Sequence, residues 1–198
     1  MIRKLAYPKI EKFLNQTAQS LNARGLSPNQ LTLAGLAVNF LAGWVYASGH
    51  LFLAGLVVLI AALADLLDGP LARTSGRTSP FGAFLDSTVD RYSDFFIFGG
   101  LALYFAHESE EGLLILVLGI LVGSFVTSYA KARAENFVEK CDAGIFERAE
   151  RIIALALGSL FSPLLIPILW ILFLGTNATA IERILHTRKL LAKSSATS

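Results

Sequence analysis

Apolar residues along this chain gather into six blocks divided by short polar stretches. The first runs from about Leu31 to Ser48, with Asn39 as its one strongly polar interior residue. The second covers about Leu51 to Ala72 and the third about Phe81 to Ala106. The fourth covers about Leu113 to Ala130 and continues into YAKARAENFVEK. The fifth starts within GIFERAERIIALALGSL, and the sixth runs from about Leu164 through Trp170 to ATAIERILHTRK. Each approaches the ~20 residues a helix needs to cross hydrocarbon, the fifth only if its ERAER turn is embedded. The divisions are turn formers: Ser48-Gly49-His50, HESEEG at 107–112, and Ser162-Pro163. Ser27 predicts a helix N-cap, with Pro28 at the first helical position. The pattern predicts an all-α integral membrane protein with six transmembrane helices.

A weaker pattern precedes the first block. Leu5, Ile10, Phe13, Leu14, Ala18 and Leu21 alternate with Lys4, Lys9, Lys12 and Arg24. That predicts an amphipathic helix lying on the membrane surface, its basic side towards anionic lipid. Pro8 is expected to bend or restart it. The chain thus divides into a juxtamembrane helix (1–24), a six-helix domain (25–190) and a tail (191–198) expected to be disordered.

Composition agrees with a membrane class: 54% of the 198 residues are hydrophobic, and mean hydropathy is +0.58. The net charge of +2 says less than its placement. With six crossings, all 17 Lys and Arg fall on one side, leaving the other with His50, His107 and the acidic HESEEG. The positive-inside rule then puts that side, and both termini, in the cytoplasm. The protein is expected in the cell membrane, with no nucleic-acid partner. The single cysteine, Cys141, excludes an internal disulfide. The N-terminal residues lack a long apolar h-region, so no cleavable signal peptide is expected. His50 reads as a turn residue, since no second His or Cys stands near it in sequence.

The chemistry lies between the second and third blocks, in DLLDGPLARTSGRTSPFGAFLDSTVD. Asp65 and Asp68 are three apart and share a helix face with Ala72. Asp86 and Asp90 are four apart and share the face of the next helix. TSGRTSP between them is rich in turn formers, so the two helices are expected to pack as a hairpin and bring four carboxylates into one pocket. A carboxylate at membrane depth costs roughly 2.5–3.5 kcal/mol on insertion scales, so these groups need pairing or a cation. Oxygen ligands without His or Cys suit hard ions such as Mg²⁺, Mn²⁺ or Ca²⁺. Gly69 and Ala72 leave room for a ligand, and Arg73 and Arg77 offer guanidinium groups to phosphate. Arg91 and Asp94 could pair with each other or with this site.

The spacing Asp65-x2-Asp68-Gly69-x2-Ala72-Arg73-x8-Gly82-x3-Asp86-x3-Asp90 resembles the signature of the CDP-alcohol phosphotransferases without a departure. The resemblance implies transfer of a phosphatidyl group from CDP-diacylglycerol to an alcohol, with release of CMP. It implies that Asp65, Asp68, Asp86 and Asp90 hold Mg²⁺ or Mn²⁺, with two ions, and that Asp90 also takes the proton from the acceptor hydroxyl. Arg73 and Ser79 would contact the CDP phosphates, and Gly69 would let the nucleotide lie against the helix. Asp65, Ala72 and Gly82 complete the CDP-lipid site, and Pro28, Asn29 and Thr32 resemble positions near the cytidine. The family also implies a homodimer.

A second polar group stands at the ends of the last three blocks: Lys131 and Arg133, then Glu147, Arg148, Glu150 and Arg151, then Arg183, His186, Arg188 and Lys189. SYAKARAE and GIFERAERII resemble segments of the phosphatidylinositol-phosphate synthases within the family. That resemblance implies that Lys131, Arg151 and Arg183 bind the phosphate of inositol phosphate. Any phosphorylated acceptor suits such a cationic group, so glycerol 3-phosphate is the alternative acceptor. A cation transporter is a more remote alternative, disfavoured because the aspartates sit at block ends beside Arg73 and Arg77 rather than at mid-membrane.

Overall fold

The computed structural model describes residues 2–195. Its regular structure is all helical, and among the described residues there is no strand. The helices are α1 (Ile2–Ala23), α2 (Pro28–Ala47), α3 (Leu51–Thr74), α4 (Pro80–His107), α5 (Glu111–Ala134), α6 (Arg148–Leu160) and α7 (Leu165–Ser195). A 3₁₀ turn, Ser162–Leu164, joins the last two.

Local chemistry accounts for the boundaries. Ser27 caps α2 in a full capping box with Gln30, and Pro28 opens the helix. Ser79 caps α4 through the Gly82 N–H at 3.0 Å, ahead of Pro80. Pro163 lacks an N–H to continue α6, so the chain turns there. The α5 helix stops at Ala134 rather than continuing through YAKARAENFVEK, and the chain between α5 and α6 docks on α7 instead. Phe146 N–H donates to Thr179 Oγ1 at 3.3 Å, and Arg183 binds Ala143 O at 2.8 Å.

α1 runs through Pro8 as one helix and packs on α3. The expected restart there does not occur. The amphipathic pattern of its first half falls on side chains outside those described. α7 extends to Ser195, so residues 191–195 are helical rather than a disordered tail, and 196–198 lie outside the described residues.

The other six helices form a closed ring in the neighbour order α2, α4, α5, α7, α6, α3. Ala42, Val58, Phe98, Ile120, Leu155 and Leu169, one from each, meet in a common core. Here the structure corrects the expected hairpin. α3 and α4 do not pack along each other, because α2 lies between them and touches both. Glycine is the reason α2 can: a Cβ on Gly100 of α4 would lie 2.7 Å from Gly43 Cα, so the two backbones meet directly. Tyr46 of α2 shares a 2.6 Å hydrogen bond with Ser159 of α6 inside the ring.

Large apolar side chains cover the outside: Trp44, Phe52, Ile60, Ile115 and Leu174 are all exposed. Such a surface is stable in lipid and a liability in water. Among the described residues, four segments are long and apolar enough to cross a membrane: Pro28–Ala47, Leu51–Thr74, Glu111–Ala134 and Ser162–Ala192. The chain is a membrane protein. α4 and α6 are not in that set. Asp86, Asp90, Arg91 and Asp94 charge the first half of α4. α6 has only 13 residues, ~20 Å of helix against ~30 Å of hydrocarbon.

Candidate active site

Because helix direction alternates, one end of the ring collects the starts of α2, α4 and α6 and the ends of α3, α5 and α7. α3 supplies Asp65 and Asp68 there, and α4 supplies Asp86, Asp90 and Asp94. Although α3 and α4 are not neighbours, the carboxylates still face one space: Asp68 lies within electrostatic reach of Asp65, Asp86 and Asp90. Asp65, Asp68 and Asp90 are half-buried and Asp86 is exposed.

The first turn of α2 closes one side. Thr32 Oγ1 lies 3.1 Å from Pro28 O and 3.2 Å from Asp68 Oδ2, so its hydroxyl proton is shared between them. Gly35, one turn on, leaves room for Asp65, since a Cβ there would come within 3.1 Å of Oδ1. Asn29 reaches towards Gly82 at the start of α4. Of the residues expected around the nucleotide, Pro28, Asn29 and Thr32 stand in the first turns of α2, Gly69 and Ala72 in the last turns of α3, and Ser79 and Gly82 at the start of α4, all at this end of the ring. Arg73 folds back along its own helix, its Nη1 3.4 Å from where a Cβ on Gly69 would stand. The Ser79 hydroxyl is engaged as the cap of α4.

The centre of the site holds a residue the sequence reading assigned only to a general cationic group. Arg148, at the start of α6, places Nη1 2.5 Å from Asp65 Oδ2 and 2.8 Å from Asp90 Oδ1. Its Nε donates to Asp94 Oδ1 at 3.3 Å. Asp94 is fully buried and also accepts from Arg151 Nη2 at 3.1 Å. Arg91 does not pair with Asp94. It turns to Asp90 Oδ2, 3.4 Å away. The signal for Asp94 was present in the spacing, because Asp86, Asp90 and Asp94 continue one face at steps of four. No spacing rule connects Arg148 to them.

The donor set suits a hard divalent ion. It is all carboxylate oxygen, and Asp68 Oδ1 is buried with no hydrogen-bond partner. Among the described residues, no three acidic, His or Cys side chains are drawn together tightly enough to hold an ion as they stand. Arg148 engages two of the four signature carboxylates.

The three cations expected at the acceptor stand differently. Lys131 is partly exposed at the end of α5. Arg151 is buried, bonded to Asp94 and to Phe146 O at 3.2 Å. Arg183 is also buried, bonded to Ala143 O and Thr127 O, each at 2.8 Å.

Known proteins resemble this chain in sequence and in fold. The chain is 37% identical over 185 residues to the archaetidylinositol phosphate synthase of Pyrococcus horikoshii, covering 93% of this chain and 95% of that protein. It is 37% identical over 211 residues to the phosphatidylinositol phosphate synthase of Streptomyces avermitilis, covering 99% and 86%. Its fold is similar to that of the Mycobacterium tuberculosis phosphatidylinositol phosphate synthase with CDP-DAG bound, with a TM-score of 0.81, 35% identity, and 89% and 93% of the two chains covered. A structure of that enzyme in complex with manganese and citrate matches with a TM-score of 0.80 and 37% identity over 88% of each chain. The CDP-alcohol phosphatidyltransferase family model matches residues 25–184, which include every signature aspartate and the cation that bridges two of them. The chain belongs to the CDP-alcohol phosphatidyltransferase family, and is an enzyme of that class.

Proposed function

We propose that this enzyme transfers the phosphatidyl group of CDP-diacylglycerol to inositol phosphate, giving phosphatidylinositol phosphate and CMP. The observation that carries the reading is the gathering of Asp65, Asp68, Asp86 and Asp90 at one end of a fold shared with phosphatidylinositol phosphate synthases. The archaeal relative differs in its lipid name and not in its inositol phosphate head.

The acceptor hydroxyl attacks the phosphorus that carries the lipid. The bond from that phosphorus to the CMP oxygen breaks, CMP leaves, and the hydroxyl proton passes to Asp90. Asp65, Asp68, Asp86 and Asp90 are the residues that would hold Mg²⁺ or Mn²⁺, two ions in this proposal. When bound, these supply charge neutralisation at the pyrophosphate and a lower pKa for the attacking oxygen. Arg73 and Ser79 orient the diphosphate, and Gly69 and Ala72 let it approach α3. Pro28, Asn29 and Thr32 line the cytidine side. The acceptor phosphate sits at the ends of α5, α6 and α7. Lys131 is its accessible partner there, with Arg151 and Arg183 as buried charge beneath. The site faces the cytoplasm, α4 and α6 complete six crossings, and the enzyme works as a homodimer.

The test is metal-dependent CMP release by the purified protein, with inositol phosphate, inositol and glycerol 3-phosphate as parallel acceptors. Release with inositol phosphate alone is expected. Asp90→Asn should cut it by about 10²–10⁴-fold, the usual contribution of a general base. Release with glycerol 3-phosphate alone would keep the mechanism and discard the acceptor.

A further inference from the structure

Arg148 lies across two of the carboxylates that would hold a divalent ion. Its Nη1 contacts Asp65 Oδ2 and Asp90 Oδ1, one oxygen from each signature pair. Its Nε is fixed on Asp94, which has no exposed surface and lies one turn deeper on the same face of α4 as Asp90. The side chain is only 15% exposed. Asp94 is in turn held from behind by Arg151. Arg148 is therefore anchored at its neck by a buried carboxylate and lies with its tip across two signature carboxylates.

A guanidinium on a carboxylate oxygen takes one of its lone-pair directions, and its positive charge repels a cation approaching the same oxygen. We propose that Arg148 is an exchangeable internal counter-ion. A divalent ion entering this site takes Asp65 and Asp90 from Nη1, while Nε stays on Asp94, so the guanidinium pivots rather than leaves. The exchange keeps the carboxylates compensated at membrane depth, where bare charges are costly. It also lowers the intrinsic affinity of the site for the ion, because each binding event must break the Arg148 contacts. This rests on the reading of the aspartates as the metal site, and asks in addition what the ion displaces.

The experiment is Mn²⁺ binding to the detergent-purified protein without substrate, read by the loss of the free Mn²⁺ electron paramagnetic resonance signal. Helical circular dichroism serves as the check on folding. Arg148→Gln is expected to bind Mn²⁺ about tenfold more tightly than the parent, the equivalent of one charged hydrogen bond no longer broken. Arg91→Gln is the control: Arg91 also lies beside Asp90, 3.4 Å away, but touches no residue of the other pair. Its gain should be smaller. Arg148→Lys keeps the charge while losing the fork to Asp94, and should gain about threefold if Arg148→Gln does not fold. Unchanged or weaker binding in the Arg148 variants overturns the exchange, and so do equal gains from Arg91→Gln and Arg148→Gln. Mn²⁺ binding that Asp68→Asn abolishes, with no effect of Arg148, sinks the exchange alone. No Mn²⁺ binding by the parent sinks the metal reading and the exchange together.

Discussion

At the scale of single residues, burial separates side chains that sequence motifs treat alike. Lys131, Arg151 and Arg183 read as one phosphate-binding set, yet one is partly exposed and two are interior. Arg151→Ala removes a buried partner of Asp94 and leaves Phe146 O without its donor. Breaking a buried charge pair costs about 3 kcal/mol or more, so the variant should melt well below the parent. Where it stays folded, its acceptor KM should rise more than its CDP-diacylglycerol KM. Lys131→Ala should raise the acceptor KM with a stability change within about 0.5 kcal/mol. Thermal melts beside paired KM measurements decide this. An equal effect of Arg151→Ala on both substrates would leave that residue a structural role only. The aspartates were legible in the sequence because their spacing is local: i, i+3 and i, i+4 put each pair on one helix face before any tertiary fold is known. Arg148 was not, because its contacts span 83 residues to Asp65 and 54 to Asp94. No local period reports a partner at that distance.

At the scale of elements, the boundaries of the apolar blocks became helices with only small shifts at their ends. Proline, capping Ser and short polar turns dictate where a helix starts and stops, and all are local signals. Neighbour order is not. A short connector between two helices favours packing them side by side, but α2 separates α3 from α4, and Gly43 and Gly100 let α2 and α4 meet backbone to backbone. Gly100→Ala tests this. The added Cβ would press on the backbone of Gly43, which cannot rotate away, so α2 and α4 must part. Overpacking of this kind costs about 1–3 kcal/mol. The same shift moves Thr32 away from the aspartates, so activity should fall together with thermal stability. A variant with parental melting and parental activity would show that the α2–α4 crossing does not position the site.

At the scale of the whole molecule, the helices differ in their fitness to cross a bilayer. α2, α3, α5 and the segment ending in α7 have the length and composition to cross unaided. α4 has charged residues through Asp94 and an uncharged run only over residues 95–107, and α6 is short. Both are nonetheless clasped in the ring by neighbours long and apolar enough to cross, so their polar ends can sit in a water-filled site instead of lipid. If α4 crosses, the turn at 108–110 and the connector at 75–79 lie on opposite faces. Single cysteines at Glu110 and Thr78 should then react with a membrane-impermeant thiol reagent from opposite sides: Glu110→Cys in intact cells, Thr78→Cys only in inverted vesicles. The native Cys141 is 0% exposed and should stay silent in both. Labelling of both positions in intact cells would mean that α4 does not cross. The lysines and arginines would then no longer share one face, and the positive-inside argument for a cytoplasmic active site would fall with the six-crossing topology. Labelling on opposite faces would put the aspartates on the side where soluble nucleotides and inositol phosphate are found, while the exposed apolar faces of α3 and α4 stay in contact with the lipid that carries the donor.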